Sequence, residues 1–432
     1  MNPVRSATVR MLAGIAIAAW TSAASPVTWK SLIGGYKQDL SLQAAKVKVD
    51  ELVGSRGVQL WDDLELRYGA KRADLRKQEV ALRISPAGFG ELSANREMAK
   101  ARRRLGDAHL LQKTSEALYD RYKLALDWRF QTRQRQYHLD MKAVCDRRIA
   151  AMAKLSSQET FDPKDLVKAQ VKRVEYLSKA EGDVSSLARI EHHMRQFVPG
   201  TGQILLEGEL LTPAEIEATL ARLDASAVDS FPDVGIAAGE MEMEKAKATQ
   251  EIASSRRWVS YMEAGYTFDA DQNSKERVTH RDNIAFGFGI KIPLFDGSSQ
   301  DIGRRKADFA EVRLSYQDDR EDYVRDVQKL RLSIGSMLRQ IVVLDSFAAR
   351  VDAGKLYADF AMKSGSDPLL LLNAQETSVE NAWRIEELRF LMLYEYLEIL
   401  HLTGAMARHP DINHLLARTP SVAIAEPGSP GS

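Results

Sequence analysis

From Ile302 onward an apolar residue returns every seventh position: Phe309, Tyr316, Tyr323, Leu330, Met337, Leu344, Val351 and Ala358. A second column joins it at Val327, Ile334, Ile341 and Ala348. A seam of this period, held for about eight repeats, specifies a long coiled-coil helix. Few chains could carry it. Here Gly and Pro number 26 and 13 in 432 residues, so breakers are scarce enough for long uninterrupted helices. The seam stops at Ser364-Gly365-Ser366. A new helix starts with Asp367 as N-cap and Pro368 at its first position, and runs to about Thr403-Gly404.

The same signals occur earlier in the chain. Asp162-Pro163-Lys164-Asp165-Leu166-Val167-Lys168-Ala169-Gln170 and Asp367-Pro368-Leu369-Leu370-Leu371-Leu372-Asn373-Ala374-Gln375 both read D-P-x-x-L-x-x-A-Q, 205 residues apart (367 − 162). Leu82-Arg83-Ile84-Ser85-Pro86 parallels Ile290-Lys291-Ile292-Pro293, and Leu64-Glu65-Leu66-Arg67-Tyr68 parallels Met262-Glu263-Ala264-Gly265-Tyr266. Three matches in one order predict two internal repeats, spanning 36–197 and 232–407. A Gly-containing linker or equatorial segment, 198–231, joins them, and the Pro/Gly/Ser-rich tail 408–432 is expected to be disordered.

Between the helices the period falls to two. Trp258, Ser260, Met262, Ala264, Tyr266 and Phe268 alternate with Val259, Tyr261, Glu263, Gly265 and Thr267. Ile284, Phe286, Phe288, Ile290, Ile292 and Leu294 alternate with Ala285, Gly287, Gly289 and Lys291. Each segment is a strand with one greasy and one small or polar face. The polar stretch 269–282 is the hairpin loop. In the first repeat, strands are expected near 60–69, interrupted by Asp62 and Asp63, and 79–85. The latter, tilted, would cover only about 16 Å, against roughly 30 Å for 257–269.

Each repeat therefore reads helix, hairpin, long helix, helix. Helices at 91–157 and 300–362 would each be nearly matched by two shorter ones end to end, 163–197 with 234–256 and 368–404 with 38–56. At 1.5 Å per residue the arrangement is a rod of about 100 Å.

Residues 1–24 carry Arg5 and Arg10, a short apolar stretch from Met11 to Trp20, and Ser22-Ala23-Ala24. They are read as a signal peptide, with no cysteine after it to take a lipid anchor. Equal numbers of basic and acidic residues, 60 each, argue against nucleic-acid binding. Cys145, alone, excludes an intrachain disulfide. Four strands cannot close a barrel, and an open sheet edge cannot face lipid. A chain with these hairpins in a membrane must oligomerise.

The sequence resembles the TolC-type outer-membrane efflux proteins over about 36–407. The most specific pieces are Ile290-Lys291-Ile292-Pro293-Leu294-Phe295-Asp296-Gly297 and Gly365-Ser366-Asp367-Pro368-Leu369 through Gln375. The resemblance implies a mainly α fold with a small β part: a long antiparallel coiled-coil α-helical barrel, and a transmembrane β-barrel shared by a homotrimer. It implies a passive outer-membrane channel for tripartite efflux or type I secretion. The partners would be a periplasmic adaptor, an inner-membrane transporter and outer-membrane lipid. A periplasmic coiled-coil interaction protein that never inserts is the alternative.

On that reading Asp162, Asp367 and Gly365 lie at the periplasmic gate, although capping alone accounts for both aspartates. Leu369, Leu370, Leu371 and Leu372 are candidates for adaptor docking, or for burial between neighbouring helices. Trp258, Tyr266, Phe268, Phe286, Phe288 and Ile290 are lipid-facing or interfacial candidates. Glu263 and Lys291 point to the lumen or form a cross-strand ion pair. Catalysis finds no support, and neither a metal nor a cofactor is expected. Gly287-Phe288-Gly289 lies within a strand and opens no helix, and the adjacent His192 and His193 cannot ligate as an i, i+4 pair.

Overall fold

A computed structural model describes residues 26–54, 61–70, 77–88, 90–155, 163–198, 202–223, 228–256, 259–269, 284–290, 298–350 and 368–417. The elements in order are α1 (Trp29–Gly34), α2 (Leu40–Gly54), β1 (Trp61–Ala70), β2 (Lys77–Pro86), α3 (Glu91–Leu155) and α4 (Pro163–Phe197). There follow α5 (Pro213–Arg222), α6 (Pro232–Ser255), β3 (Val259–Asp269), β4 (Ile284–Ile290), α7 (Ser298–Arg350), α8 (Pro368–Leu402) and α9 (Ala405–Arg408). The fold is mostly helical with one small sheet. The order helix, hairpin, long helix, helix occurs twice.

The chain forms two compact units. One comprises Met1–Leu42, Thr114–Ser226 and Arg325–Ser432. Its core is a helix-on-helix seam: Leu118, Tyr122, Ala125 and Leu126 of α3, Met194 of α4, Val327, Ile334 and Ile341 of α7, and Met392, Tyr396, Leu397 and Leu400 of α8. The second heptad column is thus buried as far as Ile341, while Ala348 at its end is exposed. Its companion is less covered: Leu330 and Leu344 are half-buried, though Met337 is buried. Aromatic rings lengthen the seam, with Phe130 edge-on to Phe390 at 5.3 Å and Tyr137 stacked on Trp383 at 5.0 Å.

The linker or equatorial segment carries α5, which begins with a capping box between Thr212 and Glu215, and Val27 bridges Ile204 in parallel. Arg129 clamps the segment by donating to the Leu206 and Gly208 carbonyls at 2.5 and 3.0 Å. The tail is not disordered from 408 on. Leu415 is fully buried, Leu416 bridges Leu210, and the Tyr122 hydroxyl donates to the Ile412 carbonyl at 3.0 Å. Residues 418–432 lie outside the described ones.

The other unit comprises Gln43–Lys113 and Ala227–Val324. Its helices approach closely. A Cβ on Gly239 of α6 would stand 3.0 Å from the Leu105 Cα of α3, and one on Gly106 would stand 3.1 Å from Val49 of α2. The four strands form one antiparallel sheet in the order β1-β2-β3-β4, open at β1 and β4. β2 is longer than expected, spanning ten residues. Tilted, they cover about 23 Å. Lys77 and Gln78 join the strand because they pair with Asp269 and Phe268 of β3. Asp63 does not break β1; the register slips between Trp61 and Asp63, a bulge that takes up the irregularity.

Candidate functional site

The cross-strand register assembles the sheet's two faces. Leu64, Ile84, Met262 and Phe288 form one row, Leu66, Leu82, Ala264 and Phe286 the next, and Tyr68, Val80, Tyr266 and Ile284 a third. Strand side chains alternate between faces, so all twelve share one side. That side is bare. Leu66 is 72% exposed, Tyr68 70%, Phe286 83% and Phe288 73%. A monomeric soluble protein rarely leaves so large a contiguous apolar surface uncovered.

The opposite face carries Glu65, Arg83, Glu263 and Gly287 in one row, and Arg67, Ala81, Gly265 and Ala285 in the next. Arg83 covers the ring of Tyr261, its guanidinium carbon 3.5 Å from the ring centre. The other side of that contact is Gly289, where any Cβ would collide with the Tyr261 ring. Gly289 of β4 thus gives room to the larger Tyr261 of β3, which accounts for this glycine without a nucleotide.

The expected residues fall as follows. Phe286, Phe288 and Ile290 are exposed, and Tyr266 is half-buried on the apolar face. Phe268 stands in β3 opposite Gln78. Glu263 is on the polar face opposite Arg83. Leu370 of α8 is exposed, while Leu369, Leu371 and Leu372 are half-buried. Trp258, Lys291, Asp162, Gly365 and Asp367 lie outside the described residues. The apolar face also takes in Leu64, Leu66, Tyr68, Val80, Leu82 and Ile84, none of them among the expected lipid-facing residues although their alternation is visible.

Polar side chains inside the helical unit form a set of cross-links that the sequence did not reveal. Arg121, almost wholly buried, donates to both carboxylate oxygens of Asp39 at 2.6 and 2.5 Å, with its guanidinium over the Phe197 ring. His138 meets Asp183 at 2.6 Å between α3 and α4. Glu376 of α8 is buried between Arg148 of α3 at 2.8 Å and Lys172 of α4 at 2.9 Å. The hydrogen bond from Lys172 to Glu376 is the main reason its ammonium is held above the ordinary lysine range. Asp146 is held below the usual carboxylate range, chiefly by the Lys142 hydrogen bond and also by Arg173. Burial raises the Cys145 thiol, as befits a packed, unreactive side chain.

Among the described residues there is no group of three His, Cys, Asp or Glu suited to a metal ion, and no helix is long and apolar enough to cross a membrane. What the sheet offers chemically is a boundary, greasy on one side and charged on the other.

No protein-family profile matches the sequence. No characterised protein matches it significantly either. Solved structures do match the fold. The outer-membrane channel MtrE of Neisseria gonorrhoeae, in its open state, superposes with a TM-score of 0.62 at 12% identity, covering 87% of this chain and 88% of that one. The outer-membrane protein VceC of Vibrio cholerae gives 0.61 at 12% identity, covering 86% and 95%. CusC, a transmembrane channel, gives 0.61 at 15% identity, covering 87% and 91%. Helices and sheet together, the chain has the fold of the TolC-type outer-membrane efflux channels.

Proposed function

We propose that the chain is a subunit of an outer-membrane channel that exports small molecules or proteins from the periplasm, in tripartite efflux or type I secretion. The observation that carries this reading is the sheet: twelve side chains of one face are apolar and most are exposed, while the other face is lined with Glu65, Arg67, Arg83 and Glu263. Lipid outside and water inside account for that division. The open edges of β1 and β4 account for oligomerisation, because unpaired strand edges do not face hydrocarbon. Three copies supply twelve strands in a closed barrel, and the two repeats of each chain supply its helices to a periplasmic tunnel.

On this reading the channel is passive. A periplasmic adaptor and an inner-membrane transporter supply the energy and dock at the tunnel end, where Asp162, Gly365 and Asp367 gate it and Leu369–Leu372 offer a docking surface. Glu263 and Lys291 line the lumen. The test is membrane fractionation followed by planar-bilayer recording. The channel needs detergent to leave the outer membrane, runs as a three-chain particle and conducts ions. A chain released without detergent and running as a monomer would be a periplasmic coiled-coil protein instead.

A further inference from the structure

One cleft of the helical unit is built entirely from α5 and its approach, the end of α8 and the chain beyond it. On α5, Ile216 and Leu220 turn inward and are buried. Glu215, Ala218 and Arg222 recur at spacings of three and four, so they share a neighbouring stripe. That stripe lines the cleft. α8 supplies the floor through Tyr396 and Leu400, each 2% exposed. Gly404, at φ 68°, then turns the chain out of α8 into α9. The return brings His409 and Leu416 to the remaining wall. An antiparallel bridge fixes that wall: the Leu211 amide donates to the Leu415 carbonyl at 2.9 Å, and the Ala417 amide to the Glu209 carbonyl at 3.0 Å.

The space enclosed is about 430 Å³, within the roughly 300–1,000 Å³ of small-ligand sites. Leu211, Leu223, Leu400 and Leu416 make it greasy, and its charge is uneven. Glu215 is the one carboxylate among its lining residues. Its Oε2 accepts from the Thr212 amide at 2.7 Å and from the Thr212 hydroxyl at 2.8 Å, so it is committed to the helix cap. Arg222 is exposed and has no acidic partner among the described residues. The C-terminal carbonyls of α5 would repel an anion beside Arg222. Arg331 offsets them by donating to the Leu220 and Leu223 carbonyls at 3.3 and 2.7 Å. His409, also exposed, adds a ring N–H.

We infer that this cleft binds an aromatic monocarboxylate, its ring body against the four leucines and its carboxylate on the Arg222 guanidinium. A planar guanidinium fork matches a carboxylate through two parallel hydrogen bonds. Apolar walls with a few convergent polar groups are the make-up of small-ligand sites. An apolar cation would meet Arg222 as a like charge, and a neutral body would leave it unused. The site belongs to the helical unit alone, so the inference does not depend on whether the chain conducts.

The test is equilibrium dialysis of 2-naphthoate against the full chain in lipid nanodiscs, with empty nanodiscs subtracted. The neutral counterpart is 2-naphthalenemethanol, which has the same ring body. Saturable binding of one naphthoate per chain is expected, with the alcohol about tenfold weaker or more. Arg222→Gln should weaken naphthoate to the level of the alcohol and leave the alcohol unchanged. Ala218→Trp, at an exposed position of α5, should fill the cleft and abolish both, with wild-type helicity. If the tryptophan unfolds the chain, Arg222→Gln decides the matter alone. Binding no greater than to empty nanodiscs, equal affinity for acid and alcohol, or naphthoate binding unchanged in Arg222→Gln or in a folded Ala218→Trp would each overturn the inference. So would a chain ended after Ala417 that binds naphthoate where the full chain does not, an outcome that gives the cleft to residues 418–432.

Discussion

The Tyr261 ring rests on the backbone of Gly289, one strand away, at a distance that leaves no space for a Cβ. Arg83 holds the ring there through its guanidinium, 3.5 Å from the ring centre. Gly289→Ala forces the ring off this seat and strains the β3–β4 pair, an overpacking cost of about 1–3 kcal/mol. Gly303→Ala in α7 meets nothing within 4 Å in the same chain and replaces a helical glycine. It should stabilise by about 0.5–1 kcal/mol. Thermal unfolding of the detergent-solubilised protein should lower the midpoint for the first variant and raise it for the second.

Arg121 and Asp39 make a different commitment. The arginine is 1% exposed and its partner carboxylate is bound through both oxygens. Removing one partner leaves a charge uncompensated in a packed interior, which typically costs about 3–5 kcal/mol. Asp39→Asn and Arg121→Met should each lower the denaturation midpoint strongly. The double variant should cost less than the sum of the two, because the second change removes the stranded charge. Additive losses in a double-mutant cycle would mean the pair does not act as a unit.

The acid side of the stability curve has a readable contributor. The carboxyl of Asp146 is held below its ordinary range, first by Lys142 and then by Arg173. A lowered carboxylate contributes stability that is present above its unfolded value and is lost as pH falls through its folded one. The pairs are part-exposed, so the effect is small, below about 1 kcal/mol. Asp146→Asn should lower stability slightly in the neutral range, leave it unchanged where the carboxyl is already protonated, and so flatten the loss of stability below about pH 4. A stability profile whose acid limb is unaltered would show that Asp146 is not protonated later in the fold than in the open chain.

Much of this architecture is legible because its signals are local. The buried column Val327, Ile334, Ile341 is the seven-residue repeat itself, and α4 and α8 begin at Pro163 and Pro368, after the aspartates expected to cap them. The alternation around Phe286 and Phe288 predicts both faces of β4. What escaped depends on partners far away in sequence. Arg121 and Asp39 are 82 positions apart, and Arg148 of α3 finds Glu376 far along the chain on α8. Nothing in either neighbourhood marks those side chains as buried. The start of β2 was missed for the same reason: Lys77 and Gln78 look like loop residues until β3 lies beside them. The tail holds through isolated residues such as Leu415, too few to make a period.

Side-chain parity in the sheet separates the channel from a soluble alternative. Leu66 and Arg67 are neighbours in β1, one on the apolar face and 72% exposed, the other on the polar face. In a soluble protein a charge at an exposed leucine costs almost nothing, since the side chain already stands in water. In a barrel wall the same charge faces lipid, at about 2–4 kcal/mol near the bilayer midplane. Leu66→Arg, Phe286→Arg and Phe288→Arg should therefore deplete the chain from the outer-membrane fraction, most of all in combination. Arg67→Gln, on the polar face, should on the channel reading leave insertion intact and alter only conductance. If the arginines at 66, 286 and 288 fractionate like wild type, the bare face of the sheet does not meet lipid, and the channel reading fails with it.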